Sequence, residues 1–162
     1  MKKRMTINNM DKQKYVSPAL MWLLVIAGAT LIFLFVPAWR FWRIKFSLSW
    51  LFLPVVFYWL YFFIGAIKVH KQAAMSVAKI DRIVKEGVYA YVRHPIYHAD
   101  ITLVWGISLF MGEPRFFFAS AWLTVVLVCW MILEEKAMEK KFGREYLEYK
   151  KQVPMFCPRL KG

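Results

Sequence analysis

Between Gly87 and Tyr97 the chain reads Gly-Val-Tyr-Ala-Tyr-Val-Arg-His-Pro-Ile-Tyr, an ionisable and aromatic segment set directly between long apolar stretches. Such groups are expensive beside lipid, so their presence there is a signal of function. Forty residues after His94 the last apolar run passes without a break into the carboxylate pair Glu134-Glu135, followed by Phe142-Gly143-Arg144-Glu145-Tyr146 and by Pro154 and Pro158. The chemistry these types permit is recognition of a polar ligand. A carboxylate can accept a pair of hydrogen bonds from a diol, and an imidazole at a helix start lies where anions are attracted. Two polar clusters framing one hairpin point to one site.

The elements that must position these residues are membrane helices. The 162-residue chain is 60% hydrophobic and 19% aromatic, too much for a soluble core of that size. Pro18 to Trp39 and Phe46 to Ile67 each run 22 residues without a formal charge, and Phe116 to Leu133 runs 18, against the roughly 20 needed to cross the hydrocarbon core. A fourth span from Pro95 to Met111 carries His98 and Asp100 in its first turns, so its start is expected at the interface. The first span exceeds the apolar core of a cleavable signal peptide, lacks a small-residue cleavage site and is followed by further spans; it is expected to stay attached.

The formal charge is +13, and 19 of the 23 Lys and Arg residues fall before Pro18, between Lys68 and Arg93, or after Leu133. That distribution is expected of a multi-pass protein with both termini cytoplasmic. Arg40, Arg43 and Lys45, in the loop between the first two spans, run against the trend. The cationic balance therefore reads as topology and contact with membrane lipids, not as nucleic-acid binding. Cys129 and Cys157 have neither paired nor metal-type spacing, so no disulfide framework and no metal site is indicated.

Met1 to Tyr15 is a polar, basic lead ending at Ser17-Pro18, a helix cap with proline at the first helical position. Lys68 to Arg93 mixes charge with Ile80, Ile83, Val84 and Val88, as a helix and loop lying against the membrane would. Gly112-Glu113-Pro114-Arg115 is a compact turn, so the third and fourth spans are expected to form an antiparallel hairpin with its base at the cytoplasmic face. Past Leu133, Met138, Phe142, Tyr146 and Tyr149 recur at helical spacing among charged residues, the pattern of an interfacial amphipathic helix. Gly143 in its middle invites a break.

Taken together, Lys85-Glu86-Gly87-Val88-Tyr89, Arg93-His94-Pro95-Ile96-Tyr97, the hairpin, Glu134-Glu135 and Phe142-Gly143-Arg144-Glu145-Tyr146-Leu147-Glu148-Tyr149 with Pro154 and Pro158 resemble the isoprenylcysteine carboxyl methyltransferase family and its phospholipid N-methyltransferase relatives. The resemblance covers roughly Val69 to Pro158. It implies an enzyme that takes a methyl group from S-adenosylmethionine bound at the cytoplasmic side, between the hairpin base and the C-terminal segment. No Gly-rich turn linking a strand to a helix exists to build a soluble dinucleotide-type domain, so the cofactor must be held by the membrane domain. Within that picture Glu134 or Glu135 is the ribose clamp, and one of the two should point elsewhere, because adjacent helical residues do not share a face. His94 and the amides after Pro95 receive the methionyl carboxylate. Tyr89 and Tyr97 pack adenine or face the sulfonium, and Gly87 permits close backbone approach.

Arg93 or Arg144 is expected to hold an acidic acceptor head group; contact with lipid phosphates is an equally good reading of either. An amine acceptor would call for a base, with Glu135, His98 or Asp100 the candidates. Tyr89, Tyr91 and Tyr97 alternatively belong to an interfacial aromatic belt. His98 and Asp100 pair with each other or with Arg93, or form part of the acceptor pocket. His98-Ala99-Asp100 after Tyr97, and Ala73-Ala74-Met75-Ser76 before the signature, depart from the family pattern and bear on acceptor identity. The expectation is an all-α integral membrane protein of about four transmembrane helices, with a flexible lead over residues 1–17, two transmembrane helices within 18–67, and a methyltransferase core over 68–162. Its acceptor is a lipophilic small molecule or lipid, or an isoprenylcysteine-like carboxylate, with phospholipid amine methylation as the runner-up. A non-catalytic lipid-binding or transporter-associated role is the alternative of another class.

Overall fold

The computed structural model describes residues 17–44, 50–70, 77 and 80–158. Among the described residues five α-helices carry the fold: α1 Pro18–Phe35, α2 Leu53–Val69, α3 Pro95–Met111, α4 Pro114–Phe142 and α5 Arg144–Gln152, with a 3-10 turn at Gly87–Ala90. No strand occurs among the described residues, and the protein is an all-α membrane protein. Three stretches, Pro18–Phe35, Trp50–Val69 and Pro114–Phe142, are long and apolar enough to cross a membrane. The segment expected as a fourth span forms a helix, α3, with the expected bounds; its 17 residues give about 25 Å of helix at 1.5 Å per residue, and it is not one of the three.

Boundaries follow local chemistry. α1 stops at Phe35, four residues short of the apolar run, because Val36 is extended (φ −86°, ψ 128°) ahead of Pro37, as the residue before a proline prefers. Pro18, Pro54, Pro95 and Pro114 all sit in the first turn of a helix, where the missing N–H costs nothing. Pro54 therefore starts α2 and does not kink it. Gly112 closes α3 in the left-handed conformation (φ 64°), and Gly143 (φ 57°) breaks the long helix into α4 and α5. The N-terminal lead, the start of the second expected span at 46–49 and the Ala73-Ala74-Met75-Ser76 stretch lie outside the described residues.

The helices pack as a row, α1 on α4, α4 on α3 and α3 on α2, with the 3-10 turn against α2 and α5 against the end of α4. Between α3 and α4, Ser108 and Ser120 hydroxyls meet at 2.7 Å, Ser120 Oγ donates to the Val104 carbonyl at 2.9 Å, and Trp105 Nε1 donates to Thr124 Oγ1 at 3.0 Å. Small residues and hydroxyls let membrane helices approach closely; Trp122 of α4 lies over Gly28 of α1 and donates to the Leu24 carbonyl at 3.1 Å. The hairpin turn is capped by the loop after α1. Phe41 N–H donates to the Gly112 carbonyl at 2.8 Å, Trp42 Nε1 to the Leu109 carbonyl at 2.8 Å, and Glu113 receives Arg40 at 2.8 Å and Arg115 at 2.7 Å. Arg40, one of the charges that ran against the trend, is thus paired within the fold.

Candidate functional site

At 29 residues α4 is about 43 Å long, well beyond the roughly 30 Å hydrocarbon core. Its final turns, past the charge-free run that ends at Leu133, stand beside the start of α3. There His94 is the N-cap residue and Pro95 the first helical residue. The imidazole bridges the carboxylate pair, with Nε2 3.3 Å from Glu135 Oε1 and Nδ1 3.8 Å from Glu134 Oε2. Tyr97, one turn along α3, stacks on His94 (ring centroids 5.8 Å apart, planes at 17°) and donates its hydroxyl to Glu134 Oε1 at 2.8 Å. The two polar clusters meet, as the sequence led us to expect.

The adjacent glutamates have different surroundings. Glu135 is buried between two cations, Arg93 at 2.7 Å and Lys150 at 2.8 Å, with the His94 imidazole 3.3 Å away. Burial pushes its carboxyl up, but hydrogen bonds from His94 and Lys150 and the charge of Arg93 outweigh that and hold it down at about 2. Arg93 is itself fully used. Its Nη1 donates to the carbonyls of Lys150 (3.0 Å), in the last turn of α5, and of Val153 (2.6 Å), the residue that caps it, and its backbone N–H donates to the Pro154 carbonyl at 3.0 Å. Tyr149 Oη donates to the Tyr89 carbonyl at 2.7 Å. This network closes the C-terminal segment over the hairpin base. Glu134 has one phenol donor and a more distant imidazole, and burial pushes its carboxyl up against the opposing pull of His94 and Tyr97.

Above this network lies a cavity of about 350 Å³. Tyr89, Arg93, His94, Tyr97 and Glu134 line it, and Glu135 does not. One glutamate facing the cavity and its neighbour pointing away is the geometry required of consecutive helical residues. Gly87 also stands outside the lining. Its positive φ (60°) and the nearness of Val69, 2.7 Å from where a Cβ would be, make it a close-packing point against α2. Arg144 is exposed at the start of α5 and is not brought to the cavity.

Several lining residues carried no readable signal. Met21 and Trp22 of α1 and Phe63 and Ile67 of α2 are indistinguishable in sequence from lipid-facing residues of the same helices. Tyr146 and Tyr149 also line the cavity, and their place on the apolar stripe of the tail is the signal that could have found them. His98 and Asp100 pair neither with each other nor with Arg93. Tyr58 Oη meets His98 Nε2 at 2.6 Å and Trp59 Nε1 donates to Asp100 Oδ1 at 2.8 Å, so two consecutive α2 residues hold two residues of α3. Among the described residues no cluster of three or more His, Cys, Asp or Glu side chains could hold a metal.

The arrangement offers a deep pocket with a partly satisfied carboxylate, an imidazole at a helix start and several aromatic walls. Known proteins are similar to this chain over about half of its length. Human protein-S-isoprenylcysteine O-methyltransferase is 33% identical over 86 residues, 49% of this chain and 28% of that protein. Methanethiol S-methyltransferase 1 of Bradyrhizobium diazoefficiens is 35% identical over 71 residues, 44% of this chain and 24% of the relative. A probable 7-dehydrocholesterol reductase of Acanthamoeba polyphaga mimivirus is 27% identical over 85 residues, 51% of this chain and 19% of the relative. The chain thus spans no more than 28% of the length of these curated relatives. The family model for phospholipid methyltransferase matches residues 51–145, from the start of α2 through the break after α4, and this chain belongs to the phospholipid methyltransferase family.

Proposed function

We propose that this protein methylates a lipophilic acceptor with S-adenosylmethionine held in the cavity at the hairpin base. The observation that carries the reading is Glu134: a carboxylate at the wall of the cavity, with Tyr97 on one oxygen and the imidazole near the other. The residues present fit a nucleoside with a charged tail. The cavity volume lies at the lower end of the range of small-molecule sites, about 300–1,000 Å³, and its wall combines carboxylate, imidazole and phenol rings.

Glu134 would hold the ribose diol and His94, with the first amides of α3, the carboxylate of the amino-acid end. Tyr89, Tyr146 and Tyr149 supply aromatic walls for adenine or the sulfonium. The bound cofactor supplies an electrophilic methyl group. The protein's part is orientation and exclusion of water, since transfer of a methyl group gains most from alignment in a dry site. Arg93 and Glu135 act by holding the wall and the C-terminal segment in place. Of the two arginines offered for an acidic head group, Arg93 remains at the cavity and Arg144 would serve at the lipid surface. The orientation with both termini and the cofactor site cytoplasmic, and residues 68–162 as the catalytic core, belong to the same proposal.

Calorimetry with S-adenosylhomocysteine on the full-length protein in detergent tests it. Saturable heat from the wild type, weakened at least about tenfold by Glu134→Ala and by His94→Ala, is expected; no heat and no thermal stabilisation of the wild type would overturn it.

A further inference from the structure

Two carboxylates line the cavity, and their surroundings differ. Glu134 sits beside the imidazole and the Tyr97 hydroxyl. Asp100 lies three residues beyond Tyr97, deeper along α3, and its Oδ1 accepts a hydrogen bond from the Trp59 indole at 2.8 Å. Among the described residues no cation forms an ion pair with it. By helical rise it stands about 9 Å along α3 from His94, where an ionisable group in a membrane helix is costly and its retention calls for a task. The hydrogen bond from Trp59 fastens Asp100 to α2 but does not require a charge there. Ile101 and Val104, the next residues of α3 toward α4, are apolar core positions, and Met21, Phe63 and Ile96 form apolar wall of the same cavity.

We propose, on the basis of the methyl-transfer reading, that Asp100 is the acceptor-side catalytic residue and selects a nucleophile that carries a proton: an amine or a thiol at the end of a lipophilic body. The proton of the ammonium or thiol passes first to the Asp100 carboxylate. The freed lone pair then forms the bond to the methyl carbon while the carbon–sulfur bond of the adenosyl sulfonium donor breaks, its electron pair passing to sulfur to leave a neutral thioether. The proton leaves Asp100 to water with the product. A carboxylate acceptor brought to about 4 Å would meet a like charge, a penalty on the order of a thousandfold at an effective dielectric of about 20. The apolar wall around Asp100 suits the hydrocarbon part of either protic acceptor.

The test uses the full chain in detergent, as wild type, Asp100→Asn, whose amide oxygen still accepts the Trp59 hydrogen bond, and Asp100→Glu, which keeps the charge. Without any donor, thermal stabilisation by decylamine is compared with that by decanoate. The wild type and Asp100→Glu are expected to favour the amine, and Asp100→Asn to lose the preference. With S-adenosylmethionine, methyl transfer is measured to phosphatidylethanolamine vesicles, dodecanethiol and an N-acetylated S-prenylcysteine. Transfer to one of the first two, reduced about 100-fold or more in Asp100→Asn with S-adenosylhomocysteine affinity unchanged, supports the proposal, and the preferred arm names the acceptor atom. Preference of the wild type for the carboxylate acceptor, or an Asp100→Asn protein with unaltered preference and rate, overturns it while leaving the methyl-transfer reading in place. A wild type that fails to bind S-adenosylhomocysteine removes that reading, and this inference with it.

Discussion

The two ends of the α3–α4 hairpin both carry a buried glutamate between cations, and the cavity described above lies at the base. At the turn, Glu113 takes Arg40 on one oxygen and Arg115 on the other, and the loop after α1 lies across the top. At the base, Glu135 is saturated in the same way by Arg93, Lys150 and His94, but its neighbour Glu134 faces about 350 Å³ of space with one close donor. The lesson is that buried ion pairs mark places where chain segments are fastened. A site is marked by a carboxylate whose hydrogen-bonding capacity is left open toward a cavity.

The largest effect is expected from undoing the fastening at the base. Arg93→Ala strands Glu135 and the carbonyls of Lys150 and Val153, which should cost roughly 3–5 kcal/mol and appear as a large fall in thermal unfolding temperature in detergent, with cofactor binding lost as a consequence. The same network sets an acid limit. Glu135 is depressed to about 2 in the folded protein, so the stability it contributes is complete above the ordinary carboxylate range and is lost as pH falls from about 4.5 toward 2. Unfolding measured across that interval should show the loss in wild type and its absence in Glu135→Gln, which is less stable than the wild type near neutral pH, the difference closing toward the acid end.

Glu134→Gln sharpens the comparison from the other side. Removal of a charge-assisted diol acceptor, worth about 1.5–3 kcal/mol, should weaken S-adenosylhomocysteine binding by roughly 10- to 100-fold, while the unfolding temperature stays level or rises because burial already disfavours that charge. Tyr97→Phe removes only the donor that orients Glu134 and should cost about 1 kcal/mol of binding, read by the same calorimetry. Glu113→Gln, at the far end, should leave the unfolding temperature nearly level, Arg40 being half exposed, and leave cofactor affinity within about twofold. An equal effect of Glu113→Gln and Glu134→Gln on affinity would erase the distinction between the two ends.

Much of this was legible in the sequence because the relevant signals were local. Charge-free runs gave the helices, prolines their first turns and Gly112 and Gly143 their ends, and the polar segments before Pro95 and after Leu133 had to meet once Gly112-Glu113-Pro114-Arg115 was a turn. That one glutamate of the pair would face the site was also legible; which one was not, since it depends on how α4 is rotated against α3. The saturation of Arg93 was hidden because the carbonyls that accept from it belong to a segment nearly 60 residues away. The hold of Tyr58 and Trp59 on His98 and Asp100 was hidden for the same reason: in a helix that is hydrophobic all round, no periodicity tells which face meets a neighbour. Gly87 shows the opposite error, a glycine suited to close approach whose partner is Val69 of α2.

The central claim is that the cavity at the hairpin base holds the adenosyl donor through Glu134, and photocrosslinking tests it most directly. Ultraviolet irradiation of the wild-type protein with labelled S-adenosylmethionine, followed by peptide mapping, should place the label on the peptides bearing Tyr89, Tyr97 or Tyr146, with unlabelled S-adenosylhomocysteine competing and Glu134→Gln reducing the yield. Label confined to the turn end of the hairpin, or label at the base that neither competitor nor substitution diminishes, would contradict it.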